Sequence, residues 1–191
     1  MRASKSRRNV VILGAFILAL AGCGAPAGEP AADTAAPADA VSLAIRESWQ
    51  TARLNLVESA DLMAEADYAF RPVDTVRTFA EMLTHVAGAN YVFCSAARGE
   101  ASPHAEDAFE AGVTSRDEII RVLGESLAYC DAAYNAATDA TLGESVARPF
   151  GQGDGPRAAV LIGNINHLNE HYGNLVTYFR IKGIVPPSSR R

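Results

Sequence analysis

Apolar residues recur along much of the chain at the spacing of amphipathic helices. Positions three and four residues apart share one face of an α-helix, whereas strict alternation marks a half-buried strand. The first predicted helix covers about residues 40–66, and its apolar stripe consists of Leu43, Trp49, Leu54, Leu56, Val57 and Leu62. No segment alternates apolar and polar residues over a sustained length. The pattern therefore favours an all-α fold.

Start and stop signals delimit three further helices. The second and third, at about residues 78–98 and 115–137, each open with Thr or Ser followed three residues later by Glu, which is capping-box spacing. The fourth begins at Pro156, a residue suited to a first turn, and ends before Gly183. These signals predict a four-helix bundle. Because the connections on either side of the third helix are long, the second and third helices need not be antiparallel neighbours.

The N-terminus has the pattern of an export signal. Residues 1–9 carry four basic side chains and no acidic one, and Val10–Ala21 is an apolar run of twelve residues. Such a run is too short to span a bilayer and is typical of a signal peptide. Small residues then lead into Cys23, so residues 1–22 predict a signal peptide with a bacterial lipobox and lipidation of the Cys23 thiol. A plain secretory signal with a chance cysteine is the alternative. Adjacent arginines leave both Sec and twin-arginine export open.

The mature chain divides into a tether, a domain and a short tail. Residues 23–38 are rich in Ala, Pro and Gly, a composition that cannot bury enough apolar surface to fold. They predict a flexible tether between the lipid and a globular domain at residues 39–188, followed by a basic tail at residues 189–191. We therefore expect an exported protein that is lipid-anchored in the bacterial cell envelope and contacts the membrane only through its anchor.

The charge balance argues against nucleic-acid binding. Residues 1–22 contain four of the 17 Lys and Arg residues and no acid, so cleavage leaves 13 basic against 22 acidic side chains, a net charge near −9. Such a body is poorly suited to holding phosphate backbones.

Two histidines on the fourth predicted helix are the first candidate chemistry. His167 and His171 lie four residues apart, which places them within roughly 40° of each other around the helix axis. Asn164 and Tyr178 lie at nearly the same angle and are candidates for lining a pocket. Leucines flank this face, where unpaired imidazoles are costly. A metal would satisfy them, since imidazole binds Zn, Ni, Cu and Fe. Surface or hydrogen-bonded histidines are the alternative.

His85 on the second predicted helix is the candidate third ligand. Its neighbours are apolar, and Gly88 would let another helix approach closely. A lone histidine on such a face is commonly a core residue. Combined with the pair His167 and His171, it would give three protein ligands and an open position, as in catalytic metal sites.

The remaining polar candidates fit a metal site less well. Cys94 lies nine residues after His85 and so points to the other side of the helix, and Cys130 is expected to be a small buried hydrophobe. A disulfide between these cysteines stays open. His104 in a loop and Glu170 on the last helix are expected to be exposed. Glu81 could orient a ligand, although its capping position already explains it.

Two segments resemble the DinB-like superfamily of bacterial four-helix bundles. They are FAEMLTHVAGANY around His85 and NHLNEHYGNLVTYFRIKGIVPPS around His167 and His171, and the resemblance extends over residues 40–188. It implies an up-down-down-up bundle in which these three histidines bind a divalent metal, commonly Zn or Ni. It also implies that homodimers are common. The family's name does not imply contact with DNA.

The resemblance implies mixed activities. Relatives include thiol-dependent transferases and isomerases and metal-dependent hydrolases, so we expect such an activity on a small molecule at an open three-histidine site. Low-molecular-weight thiols are mainly cytoplasmic, which weighs against thiol transfer in an exported chain. The sequence offers no evident general base. The alternative is a non-catalytic envelope lipoprotein that binds a metal or small ligand.

Overall fold

The computed structural model describes residues 38–191, in which four long helices are joined by connections that contain short elements. The long helices are α1 (Ala40–Leu62), α2 (Phe79–Arg98), α3 (Arg116–Ala136) and α5 (Arg157–Ile181). A single-turn helix, α4 (Asp139–Leu142), and two short antiparallel strands, β1 (Ser145–Ala147) and β2 (Asp154–Pro156), lie between α3 and α5. Three short 3₁₀ helices complete the described part of the chain, at Glu65–Asp67, Pro149–Gly151 and Pro187–Ser189. The prediction of an all-α bundle is confirmed.

The helix ends follow the predicted caps with three differences. At α2 the capping box is complete, since Thr78 N donates to Glu81 Oε2 at 2.7 Å and Glu81 N donates to Thr78 Oγ1 at 3.1 Å. At α3 the Ser115 hydroxyl accepts from Glu118 N at 3.4 Å, with no reciprocal bond among the contacts of the described residues. Pro156 is the N-cap of α5 and not its first residue, and α1 ends at Leu62 because Met63 adopts extended backbone.

Contacts between the helices establish an up-down-down-up arrangement. Helices α2 and α3 are parallel. Asn90 donates to Ser126 at 3.1 Å, and four residues later on both helices Cys94 is bonded to Cys130. Helix α1 runs against α3: Trp49 near the start of α1 reaches Asp131 near the end of α3 at 2.7 Å. Helix α5 likewise runs against α2. The long connection between α2 and α3 therefore joins two parallel neighbours, as the sequence allowed.

The core lies between the four long helices and is closed by aromatic contacts. Trp49 and Tyr134 stack with ring centroids 4.3 Å apart, and Phe79 packs edge-on against Phe179 at 5.7 Å. All four side chains are fully buried. This packing fixes α2 against α5, the two helices that carry the predicted ligands.

The N-terminal predictions remain predictions. The signal peptide, the lipidation site Cys23 and nearly all of the tether lie outside the described residues. Among residues 38–191, no helix is long and apolar enough to cross a membrane.

Candidate metal centre

Three histidines from two antiparallel helices meet at one point. His85 comes from α2, and His167 and His171 come from successive turns of α5. The Nε2 atom of His167 lies 3.3 Å from that of His85 and 3.0 Å from that of His171. One ligand nitrogen from each residue falls within 4.8 Å of the others. We call these three residues the histidine cluster.

The local sequence buries this cluster. On α5 the fully buried Leu168 and Leu175 draw the histidine face toward the core, and on α2 the buried Met82 and Val86 flank His85. Only 6% of His85 and 8% of His171 are exposed, whereas His167 is half-buried. The two α5 histidines therefore lie together on one face of the helix, as predicted.

Burial sets the protonation state of the α5 pair. Burial first, and next the neighbouring His171, lower the pKa of His167 to about 3. Burial first, and next the neighbouring His85, lower the pKa of His171 to about 4, with Arg77 adding to both shifts. Both imidazoles are thus neutral at ordinary pH, which is the form that binds a metal.

The donor set fits a divalent metal. Three Nε2 atoms face one another, and the buried Nδ1 atoms of His167 and His171 have no hydrogen-bond partner among the described residues. Each Nδ1 can carry the ring proton, which leaves the Nε2 lone pairs for an ion that would bind all three at once. The cluster could therefore hold a metal ion. Three protein ligands would leave a coordination position open, as catalytic sites do.

The connection between α2 and α3 adds two carboxylates that sequence reasoning missed. Glu110 Oε1 lies 2.8 Å from His85 Nδ1 and 3.3 Å from Arg77 Nη2. Glu106 Oε1 lies 3.9 Å from His85 Nε2. Neither residue belongs to a helix, so periodicity carried no signal for them. The backbone of this connection crosses α2 at Gly88, where a Cβ would lie 1.8 Å from Glu106 O. The sequence had suggested that another helix approaches Gly88, but the connection lies there instead.

An open cavity of about 860 Å³ adjoins the cluster. His171, Glu110 and Arg77 line it beside the predicted pocket residue Tyr178. The Tyr178 hydroxyl donates to the backbone carbonyl of Arg77, and burial raises the pKa of Tyr178. The cavity lets a small molecule reach the histidine cluster from the side of His171.

Asn164 lies elsewhere, which corrects the prediction that it lines the pocket. It is fully buried, and its Nδ2 lies 3.6 Å from Cys94 Sγ and 3.3 Å from the hydroxyl of Tyr134. Helical phase gave its direction correctly, but Asn164 lies nearer the start of α5 than the histidines do, inside the core. Cys94 is bonded to Cys130, so Cys130 is more than a small hydrophobe. We call Cys94, Cys130, Asn164 and Tyr134 the disulfide cluster.

The weaker candidates lie where the sequence placed them. His104 is exposed and packs against Tyr91, with ring centroids 4.6 Å apart. Glu170 is exposed at the cavity edge. Glu81 serves its capping box, whose backbone hydrogen bond lowers the pKa of its carboxyl.

Comparisons with known proteins agree on family and fold. A family model described as DinB superfamily matches residues 48–175. A DinB-like protein from Bacillus cereus ATCC 10987 has a TM-score of 0.62 at 21% identity, over 75% of this chain and 93% of that one. A DinB-like protein from Bacillus subtilis has a TM-score of 0.57 at 20% identity, over 73% of this chain and 92% of that one.

An enzyme shares the same fold. A mycothiol-dependent maleylpyruvate isomerase has a TM-score of 0.58 at 17% identity, over 70% of this chain, which spans 60% of that one. Identities this low establish the shared fold alone. No curated protein sequence matches the chain.

Proposed function

The chain belongs to the DinB superfamily, and on that premise we propose that it binds a divalent metal at the histidine cluster and acts there on a small molecule. The reaction classes we propose are metal-dependent hydrolysis and thiol-dependent transfer. The convergence of three imidazole nitrogens beside an open cavity carries the proposal. A closed structural site would need a fourth protein ligand.

We assign separate roles to the histidine ligands and to the residues that line the cavity. His85, His167 and His171 hold the metal, which would lower the pKa of a bound water or thiol and polarise an electrophile. Arg77 and Tyr178 line the cavity and are placed to position the substrate. The depressed pKa values of His167 and His171 keep their nitrogens available at neutral pH.

The donor set favours Zn or Ni as the metal. All three donors are imidazole nitrogens, which suit Zn, Ni, Cu and Fe better than Mg or Ca. Open three-histidine coordination is typical of catalytic zinc, and the superfamily resemblance adds nickel.

Two observations bear on the reaction class. The similarity in fold to a mycothiol-dependent maleylpyruvate isomerase supports thiol-dependent chemistry. The disulfide between Cys94 and Cys130 supports the proposed export, because disulfides persist in oxidising compartments. A lipid-anchored envelope protein is remote from cytoplasmic thiols, so hydrolysis is the class we favour.

Metal analysis of the full chain, purified without a polyhistidine tag, tests this function. We expect one equivalent of Zn or Ni per chain after growth in metal-replete medium. Esters, amides and thiol adducts would then be assayed with the loaded protein and with protein stripped by a chelator. Turnover by loaded protein alone supports an enzyme. Tight metal binding without turnover of any substrate class favours a binding lipoprotein, and absence of stoichiometric metal overturns the proposal.

A further inference from the structure

We propose that Glu110 is a positioning residue that holds His85 in the tautomer needed for metal binding, an inference that rests on the metal-binding function proposed above. Its carboxylate would accept a hydrogen bond from His85 Nδ1, which turns the lone pair of Nε2 toward the other two histidines. Glu110 contacts the ligand and not the ion.

The distances carry the assignment. Glu110 Oε1 lies 2.8 Å from His85 Nδ1, within normal hydrogen-bond range. An ionised carboxylate only accepts hydrogen bonds, so Nδ1 must be the donor. In a neutral imidazole the other nitrogen then carries the lone pair, and His85 Nε2 is the atom that lies 3.3 Å from His167 Nε2. The hydrogen bond and the ligand geometry thus require the same tautomer.

His85 differs from the other two ligands in this respect. The Nδ1 atoms of His167 and His171 are buried and have no partner among residues 38–191. Outer partners of metal-bound histidines fix ring orientation and raise ligand basicity. Glu110 therefore gives His85 a support that no protein group of the described chain gives to the others.

The connection that carries Glu110 is itself held in place. We call residues 100–114 the strap. Its backbone lies directly over Gly88 of α2, and Phe109 of the strap lies 6.0 Å from Tyr91 of α2, measured between ring centroids. Arg77 Nη2 lies 3.3 Å from Glu110 Oε1, the same oxygen that contacts His85. The carboxylate thus has a second partner that helps to fix it, as an orienting group needs.

Asp107 provides a control for the loss of charge. It lies on the same strap and is exposed. Replacing Asp107 removes a strap charge of the same sign and leaves the hydrogen bond to His85 Nδ1 intact. Glu106 does not serve this purpose, because its carboxylate lies 3.9 Å from His85 Nε2, the proposed ligand atom.

The first experiment reads the tautomer in metal-free protein by long-range ¹H–¹⁵N NMR of His85. We expect the Nδ1-protonated form in the wild type and in Asp107→Asn, and a tautomer mixture in Glu110→Leu. An unchanged His85 spectrum in Glu110→Leu overturns the inference. This readout needs no metal, so it is independent of whether the proposed metal-binding function holds.

The second experiment measures Zn²⁺ affinity by competition with a chromophoric chelator. We expect Glu110→Leu to weaken binding by about 10- to 100-fold, the usual effect of losing an outer-shell partner. Glu110→Gln keeps an acceptor oxygen and should retain part of this affinity, and Asp107→Asn should bind like the wild type. Equal losses in Asp107→Asn and Glu110→Leu overturn the assignment. If the wild type itself fails to bind Zn²⁺, the proposed function fails, and the NMR result alone decides the role of Glu110.

Discussion

The bundle contains two buried clusters that differ in how their atoms are satisfied: the histidine cluster on α2 and α5, and the disulfide cluster on α2, α3 and α5. In the disulfide cluster the sulfur atoms are bonded to each other, and the Tyr134 hydroxyl donates to Leu161 O at 2.9 Å. In the histidine cluster the three Nε2 atoms face one another, the Nδ1 atoms of His167 and His171 have no partner among the described residues, and a cavity of about 860 Å³ lies alongside. The disulfide cluster is therefore bonded internally apart from Asn164 Oδ1, whereas the histidine cluster offers its nitrogens to a ligand.

The comparison separates stability from binding. The disulfide cluster should contribute to folding and have little influence on the ion, whereas the histidine cluster should do the reverse. The first two variants below each disturb one cluster, and the last two change residues near the histidine cluster.

Removing the disulfide should have the largest effect, and the effect should be on stability. The cysteines are 36 residues apart, and closing a loop of that length restricts the unfolded chain by about 3–4 kcal/mol. The double variant Cys94→Ala with Cys130→Ala should lose about that much unfolding free energy in urea, with Zn²⁺ affinity of the folded protein nearly unchanged. A fall in affinity matching the fall in stability would show that the clusters are coupled.

The variant His167→Ala should show the opposite pattern. It removes a ligand, so Zn²⁺ affinity should fall by more than the roughly 100-fold that losing an outer-shell partner can cost. Metal-free stability should change by only about 1 kcal/mol, because the imidazole is half-buried and its Nδ1 is unpaired among the described residues. His104→Ala, which removes an exposed histidine outside the cluster, is the control and should keep its metal.

Gly88→Ala should affect both measurements. A Cβ there would lie 1.8 Å from the backbone oxygen of Glu106, so the strap must move, at a cost of about 1–3 kcal/mol. Displacement of the strap should also weaken Zn²⁺ binding through Glu110. Gly124→Ala is the matched control, since no atom lies within 4 Å of its added Cβ. Equal stability and affinity in the two variants would contradict the role of the strap.

Tyr178→Phe should have the smallest effect. It removes the hydroxyl that donates to the carbonyl of Arg77, which costs about 1 kcal/mol. Hydrogen exchange should quicken in residues 72–77, with Zn²⁺ affinity unchanged. Tyr172→Phe, whose hydroxyl donates to Ser188 at 2.8 Å, should instead loosen the C-terminal residues. Faster exchange at residues 72–77 in both variants would argue against a local role for Tyr178.

The helices and their ends were largely predictable from the sequence. Apolar periodicity and local capping signals depend on neighbouring residues, and the complete capping box of Thr78 and Glu81 is such a local feature. The short helix α4 and the strands β1 and β2 were not predicted, because three or four residues are too few to show a period.

The site was predictable only as far as one helix determines it. Phase placed His167 and His171 together, and the apolar face around His85 made it the candidate third ligand, which the family resemblance also implied. Phase gives the direction of a side chain but not its depth, which is why Asn164 lies in the core and not at the cavity. Glu110 lies on the strap, where no period links a residue to a neighbour in space.

The location of Glu110 has an evolutionary consequence. The three proposed ligands lie in helices, where an insertion or deletion would rotate every following residue around the helix axis. Glu110 lies in an irregular connection, and connections tolerate changes in length and sequence far better than helices do. A lineage could therefore replace or lose the carboxylate partner while keeping its histidines. We expect close relatives of this chain to share the histidines and to diversify in reactivity through the strap.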